Sequence, residues 1–446
     1  LVMEECPEEL FAEEDSKEIA IASGRIFYVS YDEFDNIVTR PVAPTVLPQP
    51  TCVFYQPPLR RGTPRSLKQK AAPLLRVLLI EMDSAQSSNV FAGAVALPPH
   101  STDPTTLSRS PEDRKYRWLL AKALTRCADI NYFQVVPHYL FAHHGTEQVC
   151  VAARRALPAC HPIHKILRPH LAGTCVVNII ARVMILLVSI PRLFSIGDGA
   201  KDLLQWAWKD ERLHKRFSDL RTDLSMRGVL DPSQLPHYPY RDDGLKICGA
   251  LHKYVSHVLQ LAYGGSNAQV REDVHLQQFV GELRTVGYLL PSTDPLEKPD
   301  CLAAITTFLV NLIFNASVFH ATMNYSLYES ASFAPFSPLF MNLPTRTGAD
   351  SDGMVMSEEK FLQCLPSLEM QVETVVGLAF LSHPAPADTH LSELHVPSDC
   401  PLAPLAQQLQ HDMEAISKAM HQRNQEREDT RCTLLLPEAV PSSVTL

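Results

Sequence analysis

No C-x-x-C pair occurs in the 446 residues, and the eleven cysteines are scattered from Cys6 to Cys432 without even spacing. That excludes a thiolate metal site and a disulfide framework, and reads as the thiol usage of a reduced, intracellular chain. Long basic runs are missing too, as are basic residues interleaved with aromatics, and 40 basic against 49 acidic residues give a formal charge of −9. Nucleic acid is thereby excluded as a partner. The opening LVMEECPEEL puts acids where a secretory leader carries bases, and no apolar core follows. No signal peptide is expected, and the start on Leu1 reads as a fragment. The nucleophile elbow G-x-S-x-G, the Walker loop, G-x-G-x-x-G and H-E-x-x-H are all absent, as is any repeat of solenoid period.

What is present is apolar substance: 46% of residues are hydrophobic, enough for a sizeable core. Residues 1–115 form an irregular, proline-rich lead-in with strand-like stretches at 24–32, 74–82 and 90–97; the prolines of 41–66 break any long helix. From about Trp118 the texture turns helical, with 3.6-residue periodicity over 112–130, 131–157, 160–190, 198–217, 243–263, 270–288, 300–328, 357–382 and 402–427. Punctuated loops are expected at 231–244, 291–300, 332–353 and 382–404. The expected fold is mainly α, one large helical domain over 116–446 built around long central helices. Two runs are apolar enough to be taken for membrane spans. LAAITTFLVNLIFNASVF (302–319) holds two asparagines and runs into His320, while CVVNIIARVMILLVSIP (175–191) is short and carries Arg182; both are expected to be core helices. The apolar tail RCTLLLPEAVPSSVTL is expected to be tied down inside the fold.

Chemistry concentrates in two places. VVPHYLFAHHG (135–145) holds His138, His143 and His144. Five residues separate His138 from His143, which sets them roughly 140° apart on a regular helix, so they share an ion only if the helix widens there. One π-bulge does that, and Pro137 and Gly145 both weaken regular α hydrogen bonding. His144 then faces away. In FHATMN, His320 and Asn324 are four apart and project from one face of a helix. Buried, each costs about 1–3 kcal/mol unless partnered; a metal and an ordinary core hydrogen bond are both open to them. The acidic pair in YPYRDDGLKI (238–247) reads as a helix cap.

The run CHPIHKILRPH, Cys160 to His170, resembles the second signature of the lipoxygenases. WLLAKALTRCADINYFQ (118–134) resembles the segment leading into that family's iron helix, YPYRDDGLKI a loop and helix start, and VPSSVTL its terminal segment. The similarity runs from about residue 20 to 446. The resemblance implies a non-haem iron dioxygenase that adds O2 to a 1,4-pentadiene of a polyunsaturated fatty acid of linoleate or arachidonate type, giving a hydroperoxide. Aligned through Glu147, Leu157-Pro158 and His161-Pro162, its ligand positions fall on His138, His143, His320, Asn324 and the main-chain carboxylate of Leu446, with His144 outside the set. Three imidazoles, an amide and a carboxylate without thiolate suit iron. No catalytic side chain is expected beyond the metal, whose bound hydroxide would be the base. Gln134 matches a glutamine linking the substrate cavity to the ligands. Ala181 matches a position where Ala goes with S products, and Ile185 follows as a cavity-lining position. The resemblance further implies a cytoplasmic monomer with peripheral membrane contact. The small β-barrel that precedes the family's catalytic domain has no counterpart in these residues.

Departures point to alternatives. Tyr325-Ser326-Leu327 stands where Phe-Gly-Gln is usual, so an apolar residue replaces the amide expected to hold Gln134, a loss that typically costs 10–100-fold in affinity or activity. Leu446 replaces Ile, which leaves the carboxylate in place. Pro137 and the 144–146 sequence HGT stand where the family is aliphatic. The alternatives are a fatty-acid hydroperoxide isomerase and a catalytically impaired lipid-binding protein.

Overall fold

The computed structural model describes residues 3, 6–31, 34–37, 47–59, 73–83, 90–91, 93–343, 354–382, 389–393, 401–427 and 430–444. Leu446 lies outside them, as do parts of the segments expected as loops at 332–353 and 382–404 and of the proline-rich 41–66.

Four strands form one antiparallel sheet in chain order: β1 (Ile26–Ser30), β2 (Thr51–Tyr55), β3 (Arg76–Glu81) and β4 (Val95–Ala96). Strand β2 falls in the segment read as irregular. Pro48, Pro50, Pro57 and Pro58 bracket it without interrupting it, and proline is tolerated at strand ends, where no ladder donor is needed. Ile80, Met82, Phe91 and Ala96 pack the sheet onto Tyr116, Leu120 and Leu124 of the first long helix.

That helix, α1 (Pro111–Phe133), opens with Pro111 in its first turn and Ser110 accepting from the Asp113 N–H. It passes through a π-helical segment, Gln134–His144, directly into α2 (Gly145–Ala156). The boundary expected between 130 and 131 does not exist. Asn131, polar at that point, is satisfied within the fold: its Nδ2 donates to Cys127 O (2.8 Å) and Leu339 O (2.9 Å), and its Oδ1 accepts from Ile196 N–H (2.8 Å).

The helix expected over 160–190 breaks at Gly173, whose φ of +73° is cheap only for glycine. After it come α3 (Thr174–Ile180), a second π-helical segment (Ala181–Ser189) and α4 (Ile190–Leu193). The expectation of a core helix fails here: Val176, Met184 and Val188 are 66%, 57% and 51% exposed. The inner face is given over to Asn178 and Ala181, so the apolar side chains turn outward. Helices expected over 198–217, 270–288 and 357–382 each divide in two, because Asp210, Asp273 and Ser367 cap a second start.

Helix α5 (Pro239–Tyr263) begins inside the expected loop 231–244, with Pro239 in its first turn. Helix α6 (Cys301–Phe314), capped by Asp300, runs through a third π-helical segment (Asn315–Phe319) into α7 (His320–Asn324). This is the core helix the sequence led us to expect: its apolar window is 78% buried, against 22% for that of Pro162–Leu193. Helix α8 (Leu368–Leu381) lies beside α4, where Arg192 meets Glu373 at 2.6 Å. Helix α9 (Ala403–Glu426) packs along α5 and is pinned there by the buried Asp243–Arg423 ion pair. The tail then turns inward: Val440 and Val444 are fully buried, Leu391 N–H donates to Val440 O (2.8 Å), and His170 Nδ1–H donates to Ser442 O (2.7 Å).

Candidate metal centre

Pro137 has no N–H to give to a regular α ladder, and it sits inside the first π segment. The wider turn brings His138 and His143 onto one side, which is the condition their spacing imposed. Their Nε2 atoms are 3.1 Å apart. His320, carried in from α7, brings its own Nε2 to 3.1 Å from that of His143. The three imidazoles are buried, with ligand atoms all within 4.8 Å of one another.

Hydrogen bonds behind the rings set their tautomers. Asn178 Nδ2 donates to the main-chain oxygen of His143 (2.7 Å) and to Glu147 Oε2 (3.3 Å), so its Oδ1 must face His143 Nδ1, which donates to it at 2.8 Å. A proton on Nδ1 leaves a bare lone pair on His143 Nε2. His138 Nδ1 likewise donates to Gln134 Oε1 at 2.9 Å. Two lone pairs thus point at each other across 3.1 Å with no proton between them. Such a contact is repulsive unless a cation sits there. Two nitrogens each about 2.1 Å from one ion and at right angles to each other would be about 3.0 Å apart, so the spacing fits one metal ion.

Protonation does not serve as that cation. Burial, then the charge of the neighbouring rings, holds His138 and His320 well below the ordinary histidine range, and burial lowers His143 to about 4. The cluster is neutral at physiological pH, as a metal requires. The donor set is all nitrogen in the described residues, with Asn324 one turn beyond His320. Asn324 is 1% exposed, and among the described residues neither its Nδ2 nor His320 Nδ1 has a hydrogen-bond partner.

The other expected positions are placed as follows. His144 leaves the cluster and lays its ring edge-on to Trp208, 5.2 Å between centroids. Ala181 is buried at the start of the second π segment, and Ile185 and Leu327 join Val135, Val136 and Leu140 in one apolar cluster against the ligand helix. Among the described residues Gln134 Nε2 has no hydrogen-bond partner, in keeping with an apolar Leu327. None of Gln134, Ala181, Ile185 and Leu327 lines the cavity of about 300 Å³ that opens beside Phe141, Phe217, Tyr288 and Asn311. The chain leading to Leu446 is buried as far as Val444.

Sequence reasoning missed Asn178. It orients His143, and Glu147 behind it is held by Arg182 (2.7 Å). The available signal was a lone amide in an apolar run, four residues before an arginine, with a glutamate four residues after His143. His170, which fastens the tail, was also unassigned.

Comparison with known proteins follows the same direction. The family described as Lipoxygenase matches residues 75–434. The rat protein "Polyunsaturated fatty acid lipoxygenase ALOX15B" (Rattus norvegicus) is 31% identical over 344 residues, 75% of this chain and 49% of that one. The mouse "Hydroperoxide isomerase ALOXE3" (Mus musculus) is 30% identical over 325 residues, 71% of this chain and 44% of that one. The chain thus spans about half the length of the curated relatives it matches. Among solved structures, a calcium-dependent 11R-lipoxygenase superposes with a TM-score of 0.79 at 24% identity, covering 99% of this chain and 61% of that one, a likeness of fold.

Proposed function

The chain belongs to the lipoxygenase family, whose members use non-haem iron, and from that membership we propose that it binds iron at His138, His143 and His320 and oxygenates a polyunsaturated fatty acid to a hydroperoxide. The observation that carries this reading is the pair of opposed lone pairs on His138 and His143, held that way by Gln134 and Asn178. Asn324 and the carboxylate of Leu446 complete the proposed ligand set. Bound iron would supply the one-electron chemistry that removes hydrogen from a bis-allylic methylene. The residues' share is positional. Asn178 and Gln134 hold the rings by Nδ1 and aim their Nε2 atoms at one point, burial keeps them neutral, the Ile185–Leu327 cluster backs the ligand helix with apolar side chains, and Ala181 supports an S product.

The fatty acid is proposed to arrive from a membrane. Seven large apolar side chains stand exposed on α3 and the π segment after it, among them Val176, Ile179, Val183 and Leu187, and α8, tied to α4 by Arg192 and Glu373, exposes Leu368, Val372, Val376 and Phe380. A patch of this kind is the usual mark of an interaction surface. The test is direct. Protein loaded with ferrous iron should bind about one iron per chain and raise conjugated-diene absorbance with linoleate or arachidonate; full iron loading with no diene from either acid would overturn the assignment.

A second reading, hydroperoxide isomerase, is favoured by the unpartnered Gln134 Nε2 and buried Leu327. It requires conversion of an added fatty-acid hydroperoxide to an epoxyalcohol with no oxygen uptake.

A further inference from the structure

Behind the ligand network lies a pair of thiols that the proposed chemistry does not use. Cys150, on α2, and Cys175, on α3, hold their sulfurs 3.6 Å apart. Cys150 follows Glu147 by three residues, and Cys175 precedes Asn178 by three. The pair therefore bridges the two helices whose contact is the Asn178–His143–Glu147 network. Cys150 is fully buried and its thiol also points at Leu171 O (3.6 Å), whereas Cys175 is half-buried, next to the exposed Val176 and one turn from the exposed Ile179.

We propose that Cys150 and Cys175 are an oxidation site for organic hydroperoxides, closing to a disulfide that clamps α2 to α3 and so fixes Asn178 on His143. The apolar outer face of α3 would concentrate an acyl hydroperoxide beside Cys175. The Cys175 thiolate attacks the outer peroxide oxygen, the O–O bond breaks, and the leaving alkoxide takes a proton to become an alcohol. Cys175 is now a sulfenic acid. Cys150 sulfur attacks it, hydroxide leaves with the Cys150 proton as water, and the S–S bond forms. Two thiols are oxidised by two electrons and one peroxide is reduced. Bonding requires the sulfurs to close from 3.6 Å to about 2.0 Å. The order of events follows accessibility: the half-buried Cys175 meets the peroxide first, and Cys150, whose thiol burial and its neighbour push up to about 12, gives its proton to the departing hydroxide as it attacks.

The inference rests on the proposed function only for the origin of the peroxide, so its test supplies the peroxide. The whole chain, reduced and without metal, is exposed to linoleic acid hydroperoxide and mapped by non-reducing peptide mass spectrometry, with the exposed Cys160 as the measure of reagent access. A 150–175 cross-link, reversed by dithiothreitol, is expected. Cys150→Ser should leave a sulfenic acid on Cys175 that dimedone traps, and Cys175→Ala should leave Cys150 a free thiol. Oxidised Cys160 with both inner thiols still free would overturn the site. Oxidised, iron-loaded protein should release metal to a chelator several-fold more slowly than reduced protein; equal rates would overturn the clamp while leaving the proposed oxygenase activity untouched.

Discussion

Asn178 shows how one side chain sets the character of the centre. Its amide is oriented by a main-chain oxygen and a carboxylate, and through that orientation it dictates which nitrogen of His143 carries the proton. Asn178→Ala should weaken metal binding 10–100-fold, as measured by chelator competition. Titration is legible at the same scale. His143 and His170 sit at about 4 against an ordinary 6.5, chiefly through burial. The unfolded chain takes up protons near 6.5 that the folded chain refuses, so the stability is fully present above that pH and is lost as pH falls toward 4. Each residue accounts for roughly 3 kcal/mol over that window. Urea midpoints of metal-free protein should fall steadily between about pH 7 and about pH 4.5, and a flat profile would contradict the burial argument.

At the scale of elements, three π-helical segments do what regular helices cannot. The first aligns His138 with His143; the third lies immediately before His320. They cluster around the metal site, where an added residue per turn redirects side chains. Helix α6, which leads into the third, packs on α5, and α9 braces α5 through a buried ionic centre and the more exposed Lys253–Asp412 pair (2.9 Å). Asp243 is fully buried against Arg423, with the Lys246 ammonium 3.4 Å away. Removing the arginine strands a buried carboxylate, so Arg423→Leu should cost about 3–5 kcal/mol in chemical denaturation. Joining it to Asp243→Asn should recover most of that loss, because the desolvated charge disappears along with its partner.

Across the whole molecule, apolar residues occupy two opposite situations. In α6 and α7 they are core; on α3, its π extension and α8 they face outward. Exchanging Val183 and Val376 for lysine should reduce binding to phosphatidylcholine vesicles by at least about tenfold, since each valine contributes about 1.5 kcal/mol or more on burial. Iron content should stay the same, because neither side chain reaches the ligand network. Co-sedimentation and metal analysis on one preparation check both halves, and unchanged vesicle binding would remove the membrane reading.

Residue identity and spacing determined much of this unaided. A histidine pair five apart, flanked by Pro137 and Gly145, could share one side only through a widened turn, His320 and Asn324 at helical spacing project from one face, and the apolar tail was expected to be buried. Each of these is local, and local sterics and hydrogen bonding decide it. Periodicity could not say which side of residues 175–191 faces inward, because the run is apolar over most of its surface and its buried side is the one that carries the polar Asn178. Tertiary packing settled that by giving the inner face to Asn178 and Ala181. It also decided that Asn131 continues a helix, and that His138, His143 and His320 meet. Those outcomes depend on partners 65 to 208 residues away for Asn131 and 177 for the His143–His320 contact. No window of sequence holds both members of such a pair.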